Sequence, residues 1–213
     1  MSNNPRRNQR GIHPRPRPSL AVRQRFLIVC EGEKTEPNYF RAYQEFASVI
    51  DVSIHGAGAD PLSVVNHASS EIELERQRNN LSSRAKPYDQ VWCVFDRDDW
   101  LTERFNEALS QARHRKFQVA YSNQAFELWY VLHFEYLTSS IPRADYIRKL
   151  HILLRKPYKK NDPATFATLH RRQPIAIENA KRLLAEYAPA APATDDPSTT
   201  IHLLILALNR FLI

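Results

Sequence analysis

The sequence predicts an α/β protein: a parallel sheet flanked by helices, followed by a helical extension. Three observations predict it. Apolar runs of strand length alternate with helix-length amphipathic stretches over about the first 135 residues. The two most apolar runs, Phe26–Cys30 and Gln90–Phe95, are continuous rather than alternating, as in strands buried on both faces. After residue 140 only helical patterns remain.

The elements follow in order. Phe26–Cys30 reads as the first strand and stops at Glu31-Gly32. A helix runs from Glu36-Pro37 to about Ala47, with proline in the first turn, where its missing N–H costs nothing. Val49–Ile54 is the second strand. Asp60 caps a helix with Pro61 in its first turn, running to about Arg84. Gln90–Phe95 is the third strand and ends in Asp96-Arg97-Asp98-Asp99. Thr102–Arg115 is amphipathic, with Phe105, Leu109 and Ala112 on one stripe, and either Asp98 or Asp99 could cap it. Phe117–Tyr121 is a short strand, and Ser122-Asn123 should cap a helix over Ala125–Phe134. Further helices are expected near 143–155, 164–171, 174–187 and 198–211, with a Pro/Ala-rich loop at 188–197. The expected organisation is a tail at 1–24, an α/β core at 25–140 and a helical extension packed on it at 141–213.

Composition narrows the function classes. The chain has 213 residues, 43% of them apolar and 25% charged, as in an ordinary globular protein. No apolar run approaches the roughly 20 residues of a membrane span, and no signal-peptide pattern is present, so a cytoplasmic protein is expected. Cys30 and Cys93, the two cysteines, sit in apolar runs and form no CxxC, so buried thiols are expected rather than a disulfide or zinc framework. Four glycines leave no GxGxxG or GxxxxGK[ST] phosphate loop. Charge is uneven: of 30 basic residues, seven are arginines within residues 1–25, and the other 23 face 23 acids. A Pro-rich arginine tail without acids is expected to be extended, and it is either suited to anionic partners such as nucleic acid or a solvated leader with no dedicated partner.

Both apolar strands end in carboxylates: Glu31 and Glu33 after the first, Asp96, Asp98 and Asp99 after the third. A parallel sheet brings these ends to one edge, where ligands of open α/β sheets bind. Carboxylates gathered there repel one another and offer a hard divalent cation the oxygen ligands it needs. Acids in such places also serve as helix caps. The aromatics Phe126, Trp129, Tyr130 and Phe134 suit helix packing on the sheet better than base stacking. His133 and His202 read as locally hydrogen-bonded, since no zinc spacing is present.

The segment Leu27-Ile28-Val29-Cys30-Glu31-Gly32-Glu33-Lys34-Thr35-Glu36 with Val94-Phe95-Asp96-Arg97-Asp98 resembles the Toprim domain of topoisomerases, primases and certain nucleases. Ser122–Phe134, Tyr158-Lys159-Lys160, Asn179-Ala180 and Asp196–His202 resemble the RloB-like family, over residues 25 to 210. That resemblance implies a Toprim-like sheet and a Mg²⁺- or Mn²⁺-dependent nuclease acting on DNA or RNA, associated with abortive-infection defence against phage. It implies Glu31, Asp96 and Asp98 as metal-binding and catalytic residues. Asp99 is a further candidate ligand and Glu127 a further catalytic acid, with helix-dipole pairing as the other reading of Glu127. Lys34 is a candidate phosphate contact, as are Tyr158, Lys159 and Lys160. An ATPase encoded nearby is a candidate partner, and an oligomer is compatible.

Two other functions compete. A degenerate Toprim core could bind nucleic acid or a partner without catalysis. A haloacid-dehalogenase-type phosphatase would use Asp96-x-Asp98, but its nucleophile belongs near the chain start and Glu31-Gly32 would have no role.

Overall fold

The computed structural model describes residues 24–44, 50–57, 60–160 and 162–211. The arginine tail expected at the N-terminus lies almost wholly outside these residues. Four strands, β1 (Gln24–Cys30), β2 (Ile50–Gly56), β3 (Gln90–Asp96) and β4 (Gln118–Ser122), form one sheet in the order β2-β1-β3-β4. Every neighbouring pair is parallel. The α/β fold read from the sequence is thus the observed one, and its sheet and flanking helices are consistent with a Toprim-like architecture.

Alternation along β1 divides the interior into two cores. Phe26, Ile28 and Cys30 point into one, and Leu27 and Val29 into the other. The second core is covered by α2 (Pro61–Arg78) and α3 (Thr102–His114) through Val64, Val65, Ala68, Phe105, Ala108 and Ala112. The first is covered by α1 (Thr35–Gln44), α4 (Glu127–Leu132) and the later helices α5 (Arg143–Leu153), α6 (Pro163–His170), α7 (Gln173–Ala185) and α8 (Ile201–Asn209). Phe126, Trp129 and Tyr130 are buried in it, so the aromatic stripe is core, as expected. Cys30 and Cys93 are free and buried, one in each core.

Element ends depart from expectation for local reasons. Helix α2 is capped by Asp60, whose carboxylate accepts from Leu62 and Ser63 N–H, and it stops at Arg78 rather than near Arg84. Asn79-Asn80 ends it, with Asn80 at φ 50°, a conformation asparagine tolerates. Neither Asp98 nor Asp99 caps α3; its N-cap is Leu101, with no side-chain bond. Asn123 does not cap α4 either. Its amide donates to Asp195 O at 2.8 Å, which ties the strand end to the extension, and α4 begins only after Phe126.

The extension also closes the sheet edge. Ser122 and Thr199 form an isolated antiparallel bridge, Thr200 N–H donates to Tyr121 O at 2.8 Å, and Asn123 N–H donates to Ser198 O at 2.7 Å. The segment resembling the family at Asp196–His202 therefore clasps the outer edge of β4. Asn179 has a similar structural task, donating to Leu132 O at 2.8 Å.

Candidate functional site

Parallel register carries the ends of β1 and β3 to the same level. Cys30 pairs with Val94, and Glu31 N–H then donates to Val94 O at 2.8 Å. The Glu31 side chain turns back to accept from Asp96 N–H at 2.9 Å and from the Trp100 indole N–H at 2.9 Å. Asp96, the last residue of β3, accepts from Phe126 N–H at 3.1 Å. The bond satisfies the N–H of Phe126, the N-cap of α4, and ties the helix start to the strand-end carboxylate. Glu127, the next residue, opens α4 and is buried.

These groups border a cleft of about 340 Å³. The acids Glu33, Glu36, Asp96 and Glu127 line it, together with the cations Lys34, Arg143 and Lys160. Glu127 is held from the extension, since Tyr158 donates to its Oε1 at 3.2 Å and Lys160 Nζ lies 3.4 Å from the same oxygen. Tyr158 is thus a buried support for Glu127 rather than an open contact surface, and burial together with Glu127 pushes its phenol well above the usual range. Lys159 is exposed.

Glu36 reaches the cleft because residue 32 is glycine. A Cβ on Gly32 would lie 2.3 Å from Glu36 Oε2 and 2.8 Å from Oε1. Glu36 is not among the site residues expected from the sequence. The signal available was the Gly32-x-x-x-Glu36 spacing, which leaves a side-chain-sized gap one helical turn before an acid.

The electrostatics agree with the crowding. Burial raises Asp96 well above the ordinary carboxyl range, and Glu36, Glu31 and Glu127 push it further. Burial first, then Glu127 and Glu31, push Glu36 up to about 7. Burial also raises Glu31, against the opposing hydrogen bonds from Trp100 and Asp96. Three acids in one buried neighbourhood therefore favour their protonated forms unless positive charge is supplied.

Asp98 and Asp99 stand apart from this group. Asp98 has φ 38° and turns its carboxylate to Arg143, in a close charge-assisted contact. Asp99 is exposed and does not line the cleft. The surrounding turn is pinned by Arg97, which donates to Asp98 O, Thr102 Oγ1 and Ala193 O at 3.0, 3.2 and 2.9 Å. The expected metal set Glu31, Asp96, Asp98 and Asp99 is thus rearranged: Asp96 faces the cleft, Glu31 lies beneath it on two protein donors, and Asp98 is matched by an arginine. Lys34 lines the cleft.

The carboxylates facing the cleft are the oxygen donors that a divalent cation of the Mg²⁺ class takes, although among the described residues their oxygens do not gather within 4.8 Å as a ready ligand group. They lie at one sheet edge, and the raised proton affinity of Asp96 and Glu36 marks a shortage of positive charge beside them. Asp96, Glu36 and Glu127 would hold such an ion. Both Glu31 oxygens already accept a protein hydrogen bond, so Glu31 is placed to orient Asp96 and Trp100.

His133 and His202 take no part. Burial holds both imidazoles neutral, down to about 3 and about 4, and His133 Nδ1 is 2.8 Å from Trp129 O.

Fold and site together define an α/β protein with an acidic cleft at the C-terminal edge of a parallel sheet. The family model described as RloB-like protein matches residues 26–208, and the chain belongs to that family. No curated protein and no solved structure matches the chain. Among the described residues, no helix is long and apolar enough to cross a membrane.

Proposed function

We propose that the chain is a Mg²⁺- or Mn²⁺-dependent nuclease that cleaves DNA or RNA phosphodiesters, with a cytoplasmic role in anti-phage defence. The observation carrying this reading is the convergence of buried Asp96, Glu36 and Glu127 on one cleft at the strand ends. Bound there, the cation would supply charge neutralisation at the phosphate and a water of lowered pKa. Lys34, Arg143 and Lys160 line the same cleft and suit the phosphate oxygens of a bound strand. Glu31 keeps Asp96 and Trp100 in place through its two hydrogen bonds. The arginine-rich N-terminal segment adds affinity for nucleic acid that falls with salt.

The pairing of Asp98 with Arg143 and the occupied oxygens of Glu31 favour a second reading: a Toprim-like module that binds nucleic acid, or a partner ATPase, without cleaving it.

One experiment separates the two. The full chain is incubated with labelled tRNA, single-stranded RNA and plasmid DNA, with Mg²⁺, Mn²⁺ or EDTA, beside Asp96→Ala. Metal-dependent cleavage lost in the variant is the expected result. Binding of nucleic acid that is insensitive to EDTA, without cleavage of any substrate, would replace the nuclease with the binding module.

A further inference from the structure

A second ligand cluster lies on the opposite face of the sheet from Glu36. His55, near the end of β2, is in register with Val29, whose side chain enters the core under α2. From α2, His67 and Glu71 project one helical turn apart. Among the described residues these three form a group whose ligand atoms all lie within 4.8 Å of one another.

The distances within it are informative. His55 Nε2 is 3.6 Å from Glu71 Oε2, and His67 Nε2 is 3.5 Å from Glu71 Oε1. Both are long for a hydrogen bond to a carboxylate, which closes to about 2.7–2.9 Å when charge-assisted. They match the ligand-to-ligand edge of a tetrahedral zinc centre, about 3.4 Å for bonds near 2.1 Å. Each imidazole addresses a different oxygen of Glu71, so the carboxylate lies between the two rings, and one ligand atom from each residue lies within 4.8 Å of the other two. Glu71 is buried, while the His55 and His67 side chains are 31% and 38% exposed, leaving an approach from solvent. Burial lowers the pKa of His55 against the pull of Glu71, and His67, Arg78 and Arg41 add to the lowering. Neutral imidazole is the form that ligates metal.

We propose that His55, His67 and Glu71 bind one divalent transition metal of the zinc class, linking the edge strand β2 to α2. Two imidazoles and a carboxylate select zinc over magnesium, whereas the oxygen-only cleft on the other face has the reverse preference. The proposal stands independently of the nuclease reading. Its three ligands leave the fourth tetrahedral position to water or to a small anionic ligand.

The test uses the full, tag-free chain stripped with chelator and titrated calorimetrically with Zn²⁺. Expected is one Zn²⁺ per chain, with affinity reduced by about 100-fold or more in His67→Ala and unchanged in Asp96→Asn. Co²⁺ substituted into the wild-type chain should give the intense visible absorption of a four- or five-coordinate nitrogen-ligated ion, a readout that needs no variant to fold. Absence of Zn²⁺ binding overturns the proposal. So does Zn²⁺ binding that survives His67→Ala, or that disappears in Asp96→Asn, which would place the ion in the acidic cleft.

Discussion

The two sides of the acidic cleft are built from opposite chemistry. The α/β core contributes the carboxylates Glu33, Glu36, Asp96 and Glu127 together with Lys34, whereas the charged groups from the extension are the cations Arg143 and Lys160. Their burial differs as well. Asp96 and Glu127 are 6% and 2% exposed, whereas the Arg143 and Lys160 side chains are 43% and 44% exposed. Asp96 is carried by β3, Glu36 by α1 and Glu127 by α4, so three separate elements bring the acids together. The cations sit on long, solvated stems and can adjust to what enters. The comparison implies a rigid, charge-deficient floor beneath an adaptable rim.

Asp96→Asn breaks the floor most directly. On the nuclease reading, cleavage should fall by roughly 10³-fold, as when a group acting in the transition state is lost. The melting temperature should hold or rise, since a buried repulsive charge is removed. A loss of stability matching the loss of activity would make Asp96 a fold residue instead.

Glu36→Gln sharpens the same contrast through pH. A carboxyl whose folded pKa is raised binds its proton more tightly when folded, so its stability contribution is complete below 4.5 and is lost as pH rises towards 7. At pH 8 the variant should gain up to about 3 kcal/mol, and at pH 4 nothing. Thermal denaturation across that window measures it, and saturating Mg²⁺ should shrink the gain by neutralising the native floor.

A smaller effect is expected from Gly32→Ala. The new methyl group meets the Glu36 carboxylate at 2.3 Å, which must move. A cost of about 1–2 kcal/mol is expected, with weaker metal dependence of stability. An unaltered response to Mg²⁺ would show that Glu36 does not face the ion.

Smallest should be the rim. Arg143→Ala releases Asp98 from a partly exposed pair and should change stability by less than about 1 kcal/mol. Affinity for nucleic acid should fall several-fold, read from binding at fixed salt. Tighter binding would mean that the Arg143–Asp98 pair obstructs the cleft.

Much of this architecture is legible in the chain. Continuous apolar runs ending in Glu31 and Asp96 locate two central strands, and Asp60-Pro61 announces α2, because these signals are local. Glu36 was placed in sequence but not in role, since its position depends on a gap left by Gly32. The pairing of Asp98 with Arg143, and of Glu127 with Tyr158 and Lys160, joins segments 45, 31 and 33 residues apart. No periodicity encodes such contacts. Strand alternation would carry Asp98 to the same side as Asp96, but β3 ends at Asp96, and the left-handed turn at Asp98 re-aims its side chain.

The clasp on β4 has a consequence for biosynthesis. A ribosome releases the four strands well before Ser198–Thr200, the residues that satisfy the outer edge of the sheet, and before α8. Until they emerge, a nascent chain carries an open hydrogen-bonding edge, and the lysine and tyrosine that steady Glu127 have no packed helices to hold them. Vectorial synthesis therefore postpones the finished cleft until the extension through α8 has emerged, so that catalytic competence, on the nuclease reading, arrives with the extension rather than gradually along the chain.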